Sequence, residues 1–223
     1  MRLFVKDFAV KRYERLGLIC LLYMATSAIF YFTTDNFIFR WLAVNLFLAC
    51  IPLVFSTLAQ MARQRGKRIM HITAIVLCLM FFPNAPYMVT DFIHISYLGF
   101  DSYFVVVKDV FAWFGLVYMV IGIVLGILVG LLSLDDIVQP LFDVKRRGLA
   151  VSAVAAVSLA SGYAIYIGRF LRFNSWDLFY PVELINRLAQ DWSLFTVSYS
   201  LLMAGFVAFG YLMFCVLKKL LGG

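Results

Sequence analysis

The sequence predicts an all-α integral membrane protein, a bundle of about six transmembrane helices with two outward-facing loops that carry interfacial or re-entrant helices. Three observations predict it. Of 223 residues, 64% are hydrophobic and only 14% charged, with a mean hydropathy of +0.95, far from the mix of a water-soluble domain. The apolar residues fall into runs long enough to cross a hydrocarbon core, which takes roughly 20 residues each. Lysines and arginines crowd into alternate connections between those runs.

The predicted spans cover residues 16–32, 39–58, 69–82, 110–132, 149–167 and 194–217 of a single transmembrane domain, 1–223. Six spans use more than half of the chain and leave no separate soluble domain. The first follows a basic arm, as a signal peptide would, but its apolar run continues through Ala28, Ile29, Phe30, Tyr31 and Phe32 past the small residues, so it reads as an uncleaved span. The third is short. Lengthening it takes Pro83 and Pro86 into the membrane, where proline breaks a helix. That stretch is therefore either an interfacial turn or a re-entrant segment lining a polar cavity.

Orientation follows from the basic residues. Arg2, Lys6, Lys11, Arg12 and Arg15, then Arg63, Arg65, Lys67 and Arg68, then Lys145, Arg146 and Arg147, and finally Lys218 and Lys219 all share one side of a six-span chain. The positive-inside rule puts that side, and both termini, in the cytoplasm. The formal charge of +7 is thereby a topology signal; no aromatic-interleaved basic stripe points to nucleic acid. Cys20, Cys50, Cys78 and Cys215 lie inside apolar segments without paired spacing and read as small buried side chains.

Gly122, Gly126 and Gly130 recur at every fourth position of the fourth span, and Ser152, Ala153, Ala156, Ala160, Ser161 and Gly162 crowd the fifth. Small residues let helix backbones approach closely. Two readings stay open, packing within one chain or a homo-oligomer face through the glycines.

The uncommon polar residues gather outside, in connections over residues 83–109 and 168–193. The first carries Asn84, Tyr87, Thr90, Asp91 and His94, one of only two histidines. Asp91 and His94 are three apart, so a helix there sets both on one face, where a carboxylate beside an imidazole can orient a general base or supply two ligands to a divalent metal. Equally, Thr90 or Asp91 can cap free backbone N–H groups, with His94 among headgroups. The second connection carries Arg169, Arg172, Asn174, Ser175, Trp176 and Asp177. Arginines on the side that disfavours them can hold phosphate bidentately, pair with Asp91 or Asp177, or snorkel to lipid phosphates. Residues 181–192 read as a helix in the membrane surface. Asn45, near the outer end of the second span, is close enough to join the same cavity, and Pro52 below it kinks that helix. No phosphate-binding loop, serine nucleophile elbow, zincin histidine pair or cysteine-pair zinc motif is present.

Phe82-Pro83-Asn84-Ala85-Pro86-Tyr87 with Thr90, Asp91 and His94, then Gly168-Arg169-Phe170 with Arg172, Asn174, Ser175, Trp176 and Asp177, resemble a bacterial family of multi-pass membrane proteins catalogued as domain of unknown function family 1361. The similarity covers nearly the whole chain. It implies a bacterial cytoplasmic membrane and importance for both outward connections, and it supplies no reaction. Two functions are expected from the residues. In one, Asp91, His94 and Asp177 do acid/base or metal-ligand chemistry on a lipid phosphate held by Arg169 and Arg172, with Asn84, Tyr87 and Asn174 lining the site. In the other, the same residues form a structural network in an accessory protein or small transporter.

Overall fold

The computed structural model describes residues 2–100, 107–143, 146–172, 182 and 191–221, and no strand occurs among them. Helix α1 runs Arg2–Thr34, α2 Phe37–Gln64, α3 Arg68–Phe81 and α4 Asn84–Tyr87, followed by a 3-10 helix, Met88–Leu98. Then come α5, Val110–Asp143, α6, Arg147–Tyr166, a π-helical turn, Ile167–Leu171, and α7, Leu194–Leu220. Six of the resulting rods are long and apolar enough to cross a membrane. Six crossings bring both termini to one end of the bundle.

The surface is as apolar as the interior. Leu21, Ile29, Val117, Val124 and Leu202 are exposed, whereas Ser27, Ser56, Asp91, Ser133 and Ser161 are buried. In water this inversion would aggregate; against lipid tails it is the expected arrangement. The first span belongs to the bundle. Tyr23 of α1 stacks on Tyr118 of α5 at 4.4 Å, and each hydroxyl donates to the other residue's backbone carbonyl, at 2.9 and 2.8 Å.

The glycine stripe is filled within the chain. A Cβ at Gly122 would overlap Tyr23, one at Gly126 would overlap Met88, and one at Gly130 would overlap Ala85. All three glycines are buried, so of the two readings the close approach is made intramolecularly, by α5 against α1 and against the chain over residues 85–88. At Gly162 of α6 a Cβ would run into the backbone carbonyl of Ser200 in α7, which is why that helix pair can pack so tightly. Cys20 and Cys78 are buried, Cys50 and Cys215 half-buried, and all four are free.

The helix of the third span does not stop at Phe82; the helical run passes through the two prolines, from Arg68 to Leu98, and over that length is apolar enough to cross a membrane. The physical reason is where the prolines fall. Pro83 immediately precedes α4 and Pro86 sits in its first turn, where a missing N–H costs nothing. Pro86 cannot donate to the Phe82 carbonyl, and the Ala85 N–H takes it instead at 3.1 Å. That bond spans three residues rather than four, the spacing of the 3-10 helix that follows. Val89, Thr90, Ile93 and Ile95 are β-branched and lower the preference for α geometry there. The run ends at Gly99, whose φ of 90° suits a residue without Cβ.

Candidate functional site

An 11-residue 3-10 helix is unusually long, and its geometry decides which side chains meet. With three residues per turn, positions three apart eclipse, so Met88, Asp91, His94 and Tyr97 form one straight ridge. The ridge grades from buried Met88 and Asp91 through half-buried His94 to exposed Tyr97. It runs antiparallel to α5, since Leu98 lies against Gly115 and Met88 against Gly126. Two contacts tie it to α2: the Asn36 amide donates to the Tyr97 carbonyl at 2.9 Å, and Asn45 Nδ2 donates to both oxygens of Asp91 at 3.0 and 2.8 Å. Nine residues of α2 and six of the 3-10 helix separate these contacts, roughly 13 and 12 Å. The registers agree, and Asp91 lies that far below the rim.

Asp91 and His94 share the ridge, as their spacing predicts, but not a hydrogen bond. Asp91 is 2% exposed and engaged by Asn45. His94 faces Arg169, whose Nη2 and Nη1 approach its Nε2 at 3.4 and 3.5 Å. Nη1 also lies 3.5 Å from the Tyr87 hydroxyl. A guanidinium has only donors, so Nε2 faces it as the acceptor of a neutral imidazole. Arg169 is the common neighbour, within electrostatic reach of both Asp91 and His94.

The π-helical turn puts Arg169 there. Its i→i+5 turn is wider than an α turn and recurs at functional sites. Phe170 in the same turn is anchored edge-on to Tyr199 and Phe195 of α7, at 4.9 and 5.1 Å. Beside it Tyr166 donates to Asp191, and Thr196 joins them, donating to the Asp191 carbonyl at 2.8 Å and lying 3.1 Å from the Tyr166 hydroxyl. This network escaped the sequence analysis; its only signal was Ser193 three residues before Thr196, which together form the capping box of α7.

The remaining expected site residues divide. Asn84 donates to the Phe81 carbonyl at 2.9 Å and closes the end of α3. Arg172 is exposed, in the left-handed region at φ 56° just past the π turn, and does not join Arg169. Asn174 and Asp177, like the surface helix expected over residues 181–192, lie outside the described residues apart from 182 and 191–192. Among the described residues no three His, Cys, Asp or Glu side chains come together as metal ligands.

A second polar cluster sits at the end that carries the termini. Helix α5 does not end near Leu132; it continues and takes Asp135 and Asp136 into the bundle. Tyr13 donates to Asp136 at 2.6 Å and Ser56 at 2.8 Å. Tyr211 donates to Asp135 at 3.2 Å and Lys218 pairs with it at 2.8 Å. Neither carboxylate stands out in the sequence, because charge at 135 and 136 reads as the end of a span.

These features define a multi-pass helical membrane protein with a polar cluster of Arg169, His94 and Tyr87 at the end opposite its termini. Residues 44–212 match the family described as protein of unknown function, DUF1361, and the chain belongs to that family. No curated protein and no solved structure matches it.

Proposed function

We propose that the protein acts on a lipid-linked phosphate at the cleft around Arg169, in a bacterial cytoplasmic membrane with both termini in the cytoplasm. The observation that carries this reading is the state of Arg169: half-buried, with contacts among the described residues at 3.4 to 3.5 Å that sit at the limit of hydrogen bonding and, among those residues, leave its donors weakly spent. A phosphate is what such a fork holds bidentately. Depth supports the same substrate. From Arg63 in the last turn of α2 back to Asn45 is 18 residues, roughly 27 Å, against a hydrocarbon core of roughly 30 Å. With Arg63 at one boundary, Asn45 and Asp91 lie in the outer part of the core, below a rim open to headgroups.

In this reading Arg169 receives the phosphate, His94 exchanges a proton through Nε2, and Tyr87 orients a phosphate oxygen by its hydroxyl. Asp91, fixed by Asn45, balances the guanidinium charge. Asp177 and Asn174, which lie outside the described residues, remain the candidates that the second outward connection adds to this reading. The test is turnover in proteoliposomes supplied with polyprenyl phosphates, polyprenyl diphosphates and phosphatidic acid, followed as phosphate release or headgroup transfer. Activity lost in His94→Ala and Arg169→Gln supports the reading; no turnover, with full cellular function of both variants, sinks it.

One observation favours an accessory role instead. Asp91 is buried with both oxygens on Asn45, a complete pair that needs no substrate. Loss of folding or of partner capture in Asp91→Ala, with no chemistry detectable in the parent protein, would select that reading.

A further inference from the structure

A groove of about 750 Å³ opens between α2 and α3 at the end carrying the termini, far from Arg169. Its walls are apolar, with Phe55 and Leu58 on α2 and Met70 and Leu77 on α3, and buried Ala74 behind them. Lys67 and Arg68 line its mouth. Both are exposed, and no side chain caps the start of α3 beside them.

We propose that this groove binds one anionic glycerophospholipid, with an acyl chain between the helices and the phosphate on Lys67 and Arg68. Charge identifies the headgroup. Residues 37–90 contain no aspartate or glutamate, while Arg63, Arg65, Lys67 and Arg68 crowd the six residues that end α2, make the turn and begin α3. Nothing within that stretch neutralises them, and a basic turn at a membrane boundary attracts anionic lipid. Length identifies the body of the ligand. From Arg68 to Leu77 is nine residues of α-helix, roughly 14 Å, and half of a hydrocarbon core is roughly 15 Å. The groove is therefore one leaflet deep with its cations at headgroup level, whereas a peptide helix or a second span would need a groove that continues past the midplane.

The test is native mass spectrometry of the full-length protein equilibrated with equimolar phosphatidylglycerol and phosphatidylcholine of identical chains. Phosphatidylglycerol should be retained with a preference on the order of tenfold. The double variant Lys67→Gln/Arg68→Gln should lose the preference, and Ala74→Trp, which fills the groove, should lose retention of both lipids. The same comparison is repeated in an Arg169→Gln background, which removes the other phosphate-holding side chain and leaves the groove intact, so that the preference read there belongs to the groove. Equal retention of the two lipids overturns the proposal, as does a preference that survives the double variant or that vanishes with Arg169→Gln alone. So does cysteine cross-linking that finds a second copy of the chain seated in the groove. Should Ala74→Trp fail to fold, by its melting curve, the charge variants decide alone, since both positions are exposed.

Discussion

The two ends of the bundle both bury carboxylates, and they treat them in opposite ways. At the end carrying the termini, Asp135 and Asp136 stand on regular α-helix and receive Lys218, Tyr211, Tyr13 and Ser56 at 2.6 to 3.2 Å. Each bond crosses between spans far apart in sequence, so the pair staples α5 to α1, α2 and α7. At the opposite end, Asp91 and Arg169 stand on helices of the wrong pitch, one 3-10 and one π. There the carboxylate is satisfied by a neutral amide, while among the described residues the guanidinium reaches its neighbours only at 3.4 to 3.5 Å. Polar groups whose bonding is complete hold a structure together; a charged group whose bonding is incomplete has capacity left for a ligand.

Four substitutions break or sharpen that contrast. Asp136→Ala removes the carboxylate that accepts from the Tyr13 and Ser56 hydroxyls and should cost about 2 kcal/mol, above the average for interhelical hydrogen bonds in membranes because two are lost; a denaturation titration in mixed micelles reads it. Asn45→Ala removes two donors from buried Asp91 and should cost about 1 to 2 kcal/mol by the same titration. Lys218→Gln should cost about 0.5 kcal/mol, because its side chain is 37% exposed and solvent screens the pair. Arg169→Gln should leave the unfolding midpoint within about 0.5 kcal/mol of the parent, yet weaken binding of a polyprenyl phosphate about tenfold, or 1.4 kcal/mol. Equal destabilisation by Asp136→Ala and Arg169→Gln would erase the distinction between the ends.

Hydropathy made the six spans and their alternation readable, because lipid exposure demands long apolar runs whatever the packing. The course of the third span was not readable. Prolines 83 and 86 signal a break unless one knows that they fall at and within a first turn, which depends on where the preceding helix stops. Asp91 and His94 were picked out correctly as belonging to one face, since three-residue spacing aligns on a 3-10 helix even better than on an α-helix. At Arg169 and Arg172, also three apart, a π turn and a left-handed residue separate the two side chains, which no local pattern announces. Asp135 and Asp136 were lost to the rule that charge ends a span; their partners Tyr13 and Lys218 lie 123 and 83 residues away, beyond any local pattern.

The ridge Met88, Asp91, His94, Tyr97 carries a consequence for other sequences of the family. On an α-helix, buried positions drift with a period of 3.6, and a polar site tolerates spacings of three or four. On a 3-10 helix each residue turns the chain by a third of a circle, so inserting or deleting one residue between Asp91 and His94 would carry one of them off the ridge altogether. Relatives that keep this cleft should therefore show a strict three-residue rhythm from the position of Met88 to that of Tyr97, with gaps in their alignment falling before Pro83 or after Gly99.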